Sequence, residues 1–271
     1  RDPFREEVFE RDRSLCLNSS QGESLSRITA AADAEGFAPF LLHGVTGSGK
    51  TEVYLQAIAH VLDRGKTALV LVPEIALTPQ LVKRFKRRFA CGIAVLHSAL
   101  SDGERFDEWR RIRRNEAEIV IGARSAIFAP LERIGMIVVD EEHDASYKQS
   151  EGLRYNSRDL ALVRGKMERA CVLLGSATPI VTSFHAAQNG KLGYLHLPHR
   201  VRDLPMPTVE LLDGRGRKGE TFLPEMTAAL ESNLGQGGQA LLFINRRGFA
   251  TFLICAECGR SEGTRLNSSH T

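Results

Sequence analysis

The sequence has no apolar run near the ~18 residues of a membrane-spanning helix, so no helical membrane span is expected. Its start, Arg1-Asp2-Pro3-Phe4-Arg5-Glu6-Glu7, carries neither an initiator methionine nor an apolar signal core, and reads as the interior of a longer protein. A disulfide framework is missing too. The five cysteines are odd in number, and Cys16, Cys91 and Cys171 are isolated in or near apolar stretches, as buried free thiols would be. A reducing compartment, the cytoplasm, follows as the expected location. Large net charge is also lacking: 36 Lys+Arg against 33 Asp+Glu leave +3, too little to argue for nucleic acid by itself. There is no internal repeat. What remains, 42% hydrophobic and 25% charged residues over 271 positions, matches a folded globular chain of one or two domains.

Apolar runs alternate with helical segments over most of the chain. Phe40–His43, Thr67–Val72, Ile93–Leu96, Ile119–Ile121, Ile134–Val139 and Cys171–Leu174 read as buried strands. Helices are expected from Ser24 and over Glu52–Leu62, Pro79–Phe89 and Glu104–Arg114. Continuous β-branched runs separated by helices imply a parallel sheet covered on both faces, a doubly wound α/β layer. Residues 1–24 are polar and read as a linker or the tail of an upstream domain, and 25–197 as the first lobe. Prolines 198, 205 and 207 and the stretch Asp213–Gly219 mark a linker over 198–220. A helix at Pro224–Leu234 and a strand at Gln239–Asn245 open a second α/β unit over 221–254, too short to be complete. Residues 255–271 form a partial metal-binding element and an atypical tail.

Two motifs carry chemistry. Gly44, Val45, Thr46, Gly47, Ser48, Gly49, Lys50 and Thr51 fit GxxxxGK(S/T), after a strand and opening a helix. The glycines let backbone N–H groups converge on phosphate oxygens, and the helix N-terminus adds positive charge there. Lys50 would reach the β- and γ-phosphates and Thr51 would ligate Mg²⁺. The apolar strand Ile134–Val139 then ends in Asp140-Glu141-Glu142-His143. Strand ends of such sheets border the ligand crevice. Asp140 would complete the Mg²⁺ shell, and Glu141 would orient or activate the attacking water.

Together these motifs resemble a superfamily 2 helicase with a RecA-like lobe, and more narrowly the primosomal replication-restart helicases (the PriA, or primosomal protein N′, family). The acidic box with Ala145-Ser146-Tyr147-Lys148-Gln149 after it is similar to theirs, as are Leu71–Gln80, Ile121–Pro130, Gly175-Ser176-Ala177-Thr178-Pro179 and Phe243–Phe249. The resemblance implies an ATP-dependent, Mg²⁺-requiring 3′→5′ DNA helicase that restarts stalled forks, with single-stranded and forked DNA, primosome proteins and single-strand-binding protein as partners. It makes Gln21 an adenine-reading residue, and Thr78, Arg124 and Ser125 phosphate contacts to DNA. It also implies an absent remainder of the second lobe, so this chain is expected to bind ATP–Mg²⁺ and hydrolyse it feebly. Another superfamily 2 DNA translocase, or a nucleotide-gated binding module without turnover, are the alternatives.

The loop after the acidic box mixes Tyr147, Lys148, Arg154 and Tyr155, which suits base stacking with phosphate attraction and would couple DNA to hydrolysis. Ser176 and Thr178 are expected to link that loop to the second lobe through their hydroxyls. Basic clusters at Lys83–Arg88 and Arg110–Arg114 lie on amphipathic helices and read first as solvated outer faces. Cys255 and Cys258 form a CxxC, half of the four-ligand zinc site that the resembled family completes with further pairs.

Overall fold

The structure, a computed structural model, describes residues 11–201, 208–213, 222–243, 253–254 and 261–262. In chain order its elements begin with α1 (Ser19–Asp33), β1 (Ala38–Gly44), α2 (Lys50–Leu62), β2 (Thr67–Leu71) and α3 (Pro79–Arg88). They continue with β3 (Ile93–Leu96), α4 (Asp102–Arg113), β4 (Ile119–Gly122), β5 (Ile134–Val139), β6 (Lys148–Gln149) and β7 (Tyr155–Asn156). The unit ends with α5 (Ser157–Glu168), β8 (Cys171–Ser176), α6 (Val181–Gln188) and β9 (Gly193–Leu197). The large sheet is parallel throughout, in the order β3-β4-β2-β5-β8-β1-β9. This is the RecA-like doubly wound α/β lobe that the alternation of apolar runs and helices predicts.

The apolar runs become central strands because both of their faces are covered. Every residue of β2, β4, β5 and β8 is buried. Alternate positions feed two cores. Leu42, Val70, Val138 and Leu173 face one core with Ile28, Val53, Ile58 and Phe85 of α1, α2 and α3. Leu41, Leu71, Val139 and Leu174 face the other with Ile112, Ala161 and Ala187 of α4, α5 and α6. All the strands point their carboxyl ends to one edge, where the phosphate loop and the acidic box both emerge.

Several expectations differ from the structure. The first helix starts at Ser19, not Ser24, because the polar cluster read as a linker end is a cap. Asn18 Oδ1 accepts from Gln21 N and Gln21 Oε1 accepts from Asn18 N, both at 2.9 Å. Strand β9 lies where the apolar pattern weakens. As an edge strand it buries Leu195 and Leu197 and exposes Tyr194 and His196. Past β9, Val201 N donates to Gly47 O, so the described chain stays with this unit as far as Val201. The second unit, Met206–Thr271, is described by itself: α7 (Pro224–Gly235) matches the expected helix, and β10 (Leu253–Ile254) pairs antiparallel with β11 (Ser261–Glu262). The strand expected at 239–245 is absent over its described part, 239–243. Among the described residues no helix is long and apolar enough to cross a membrane.

Candidate active site

The loop from Gly44 to Gly49 turns β1 into α2 using left-handed backbone at Gly47 (φ 79°) and Gly49 (φ 82°). Gly49 is the N-cap of α2, so the first-turn N–H groups open toward the loop. A side chain at Gly49 would also meet Gln21 Nε2 at 2.3 Å. Lys50 is buried to 8% exposure and donates from Nζ to Gly44 O at 2.9 Å, folded into the cradle it is expected to serve. Thr51 follows it in the first turn of α2. Val45 N donates to Leu197 O and Val201 N to Gly47 O, so the segment after β9 braces the loop from the far side. Gln21 is placed against this loop, buried, with Nε2 donating to Ser48 O at 2.8 Å. Its amide holds the phosphate loop in place, which leaves one N–H for the adenine reading expected of it.

At the end of β5, Asp140 meets two tyrosines. Tyr54 Oη donates to Asp140 Oδ1 at 3.2 Å, and Tyr147 Oη lies 2.5 Å from Asp140 O and 3.1 Å from Leu71 O. Tyr54 is four residues after Lys50, hence on the same helix face. Its ring sits under Gly175, where a Cβ would stand 1.5 Å from Oη. Tyr54 belongs to neither sequence motif, and only its i, i+4 spacing from Lys50 hints at it. Burial first, then the Glu141 charge, push the Asp140 carboxyl above the ordinary carboxylate value, while Tyr54 and Lys50 pull it back. Glu141 holds a left-handed backbone (φ 48°), rare for a side-chain-bearing residue and typical of a strained site. A partly buried pair of adjacent carboxylates at the strand end fits a hard divalent cation, with the Thr51 hydroxyl as a further oxygen donor. The neighbouring Ser48 Oγ is buried without a hydrogen-bond partner, a second sign of a site shaped for a polar ligand.

Glu142 has a different task. It is 1% exposed, accepts from Ile180 N and Ser183 Oγ at 2.9 Å, and lies 3.6 Å from Arg158. It ties β5 to α5 and α6. His143 Nδ1 lies 2.7 Å from Ser176 Oγ, which also accepts from Thr178 N at 3.0 Å, and 3.5 Å from Glu141 Oε2. Ser176 is thus joined to the acidic box through His143, and Thr178 reaches it by its backbone N–H rather than by the hydroxyl expected to act.

The stacking role expected of Tyr147 does not survive. The ring is 1% exposed and its hydroxyl is held by two backbone carbonyls, so no base can reach it. An aromatic that reads as a loop residue is a core residue because the loop folds back under β2. Lys148 is exposed and Tyr155 half-buried, on the short β6–β7 pair, with Tyr155 edge-on to Phe128 at 5.1 Å. Arg124 Nη1 donates to Ser146 O and Lys148 O, fixing this loop to the end of β4. Arg124, Ser125, Phe128 and Tyr155 line a cleft of about 640 Å³. Thr78 stands apart from it as the N-cap of α3, accepting from Leu81 N at 3.4 Å. Cys255 and Cys258 lie outside the described residues, and no metal-ligating cluster occurs among those described.

Just before the loop, His43 Nδ1 lies 2.8 Å from Tyr194 Oη, and its ring is 5.2 Å from that of His196. Burial first, then the His196 charge and, more weakly, Lys50, push His43 below the ordinary imidazole value, against a hydrogen bond to Ala177 that raises it. The folded state therefore prefers neutral His43. Its contribution to stability is present above the unfolded value of ~6.5 and is lost as pH falls through the lower folded value. His43→Asn is expected to flatten the fall of Tm below pH ~6.5; an unchanged slope would assign the titration elsewhere.

Comparison with known proteins agrees with this geometry. The DEAD/DEAH box helicase family profile matches residues 19–186. The replication restart protein PriA of Bacillus subtilis (strain 168) is 49% identical over 263 residues, spanning 96% of this chain and 33% of that protein. PriA of Haemophilus influenzae is 45% identical over 253 residues, 93% of this chain and 34% of its own length. The chain thus spans about a third of the curated relatives it matches. RecG, in its structure bound to a three-way DNA junction, shares the fold with a TM-score of 0.56 and 22% identity over 83% of this chain and 28% of that one. With the profile covering every strand of the large sheet but β9, the phosphate loop and the acidic box, the chain belongs to the DEAD/DEAH box helicase family.

Proposed function

We propose that this chain is the nucleotide-binding motor lobe of an ATP-dependent 3′→5′ DNA helicase that acts in replication restart. The reading is carried by one observation: the Lys50 cradle and the Asp140–Glu141 carboxylates lie at one sheet edge, bridged by Tyr54. Backbone N–H groups of Gly47–Thr51 bind the phosphates, and Lys50 moves from Gly44 O to a γ-phosphate oxygen. When bound, a magnesium ion supplies positive charge against the phosphate oxygens; Thr51 and Asp140 are the residues that would hold it. Glu141 takes a proton from water as the water oxygen attacks the γ-phosphorus, the bond to the β-phosphate oxygen breaks, and ADP leaves with that electron pair.

The His143–Ser176–Thr178 link, with Arg124 holding the adjacent loop, supports a path by which strand binding in the cleft of Arg124 and Ser125 reaches Glu141. Lys148 and Tyr155 serve at the rim of that cleft, and Thr78 acts through the placement of α3. Gln21 senses the nucleotide through the loop it braces. Primosome and single-strand-binding proteins as partners, and a cytoplasmic setting, rest on the likeness to PriA. Zinc at Cys255 and Cys258 rests on the CxxC spacing.

Lys50→Ala should weaken ATP binding by about tenfold to a hundredfold, the worth of a hydrogen bond to a charged group, and remove any DNA-stimulated turnover. Calorimetric titration with a non-hydrolysed ATP analogue and steady-state hydrolysis with single-stranded DNA are the measurements. Unchanged affinity in the variant would sink the reading. Lys50-dependent binding with no turnover at any DNA concentration would favour a nucleotide-gated module instead.

A further inference from the structure

Helix α4 buries Ile112 and turns an unusual face outward. Phe106 and Trp109 are 61% and 39% exposed, one turn apart, and the Arg110 guanidinium lies over the Phe106 ring at 5.6 Å. With Asp102, Arg105 and Arg113 they line a hollow of about 350 Å³, so three arginines surround two open rings against a single carboxylate. A merely solvated helix face does not present its aromatic side chains to water between arginines. Arg105 and Trp109 also line the larger cleft that holds Arg124 and Ser125, so the two surfaces are continuous.

We propose that this outer face of α4 is a stacking platform for single-stranded nucleic acid, which extends the strand's path beyond the cleft. The proposal rests on the reading of that cleft as the strand site. Charge complementarity selects a polyanion, and flat exposed rings beside guanidinium groups select one whose units carry π-faces. An acidic peptide offers the charge without the faces. Bases stack on Trp109 and Phe106 while Arg105, Arg110 and Arg113 neutralise successive phosphates, so the contact tolerates any sequence.

Trp109 is the only tryptophan in the sequence and stands where the hollow meets the cleft, so its emission reports a strand at that junction, while Phe106 lines the hollow and not the cleft and separates the two. The full chain is titrated with fluorescein-labelled oligothymidylate; anisotropy reads total binding and tryptophan emission reads stacking. Quenching in step with anisotropy is expected. Phe106→Ala, which keeps the reporter and removes an exposed ring, should weaken binding about tenfold, the typical loss for one stacked base. Arg110→Gln and Arg113→Gln should each lower the slope of log affinity on log salt by about 0.7. An anisotropy rise with unchanged emission, or quenched binding that Phe106→Ala leaves at full affinity, would keep the strand off this face and overturn the platform. Neither signal changing would sink both the cleft reading and the proposal. Quenching by polyglutamate but not by the oligonucleotide would assign the face to an acidic peptide and overturn it as well.

Discussion

Glu142→Ala will destabilise the protein by about 3–5 kcal/mol, the cost of stripping one partner from a buried ion pair. The carboxylate is fully enclosed and answers three groups at once: Ile180 N, Ser183 Oγ and the Arg158 guanidinium, itself only 15% exposed. Removing it leaves an amide and a hydroxyl without an acceptor in an interior that admits little water, and leaves Arg158 with Asp159 as its carboxylate partner. Glu142→Gln keeps an oxygen for Ile180 N and should lose less. Urea unfolding reads both as a shift in midpoint at constant slope. A loss below ~1 kcal/mol for the alanine variant, within the range of ordinary surface changes, would mean that Glu142 does not anchor α5 and α6 to β5.

Gly175→Ala is the second large effect. The new methyl would stand 1.5 Å from Tyr54 Oη and 2.7 Å from its Cζ, distances no native contact reaches. Tyr54 is 2% exposed and enclosed, so it cannot swing clear without disturbing α2. Overpacking of this kind costs about 1–3 kcal/mol, and the displaced hydroxyl gives up its bond to Asp140, worth a further ~1.5–3 kcal/mol for a charged acceptor. The same displacement should weaken Mg²⁺–nucleotide binding, because Asp140 loses the donor that orients it. A Tyr54→Leu background removes the obstructing atoms, so Gly175→Ala should there be nearly neutral for stability. Equal costs in the two backgrounds, measured as a double-mutant cycle, would show that the methyl meets something other than Tyr54.

Both effects concern residues whose neighbours lie far away along the chain, and that marks the limit of what could be read in advance. The phosphate loop was legible because its chemistry is local: glycines for left-handed turns, then Lys50 and Thr51 opening a helix, all within eight consecutive residues. The acidic box was legible because a buried strand that ends in carboxylates has one place to end in such a sheet. Strands β2, β4, β5 and β8 announced themselves as unbroken apolar runs. The edge strand β9 did not, since one buried face leaves only an alternating trace over five residues.

The amino-acid sequence by itself determined the parallel sheet, the Gly44–Thr51 cradle and the placing of Asp140 and Glu141 at its mouth, because periodicity and short motifs are properties of neighbouring residues. Tertiary structure alone decided what the remaining polar and aromatic groups do. It buried Tyr147 beneath β2 and left Trp109 in the open, though both are aromatic residues beside basic ones in the sequence. It made Glu142 a strut and left Glu141 at the crevice, though the two are adjacent carboxylates. Burial and hydrogen-bond partners belong to surfaces that meet only when distant segments pack, and no local pattern in the chain encodes which surface a side chain will meet.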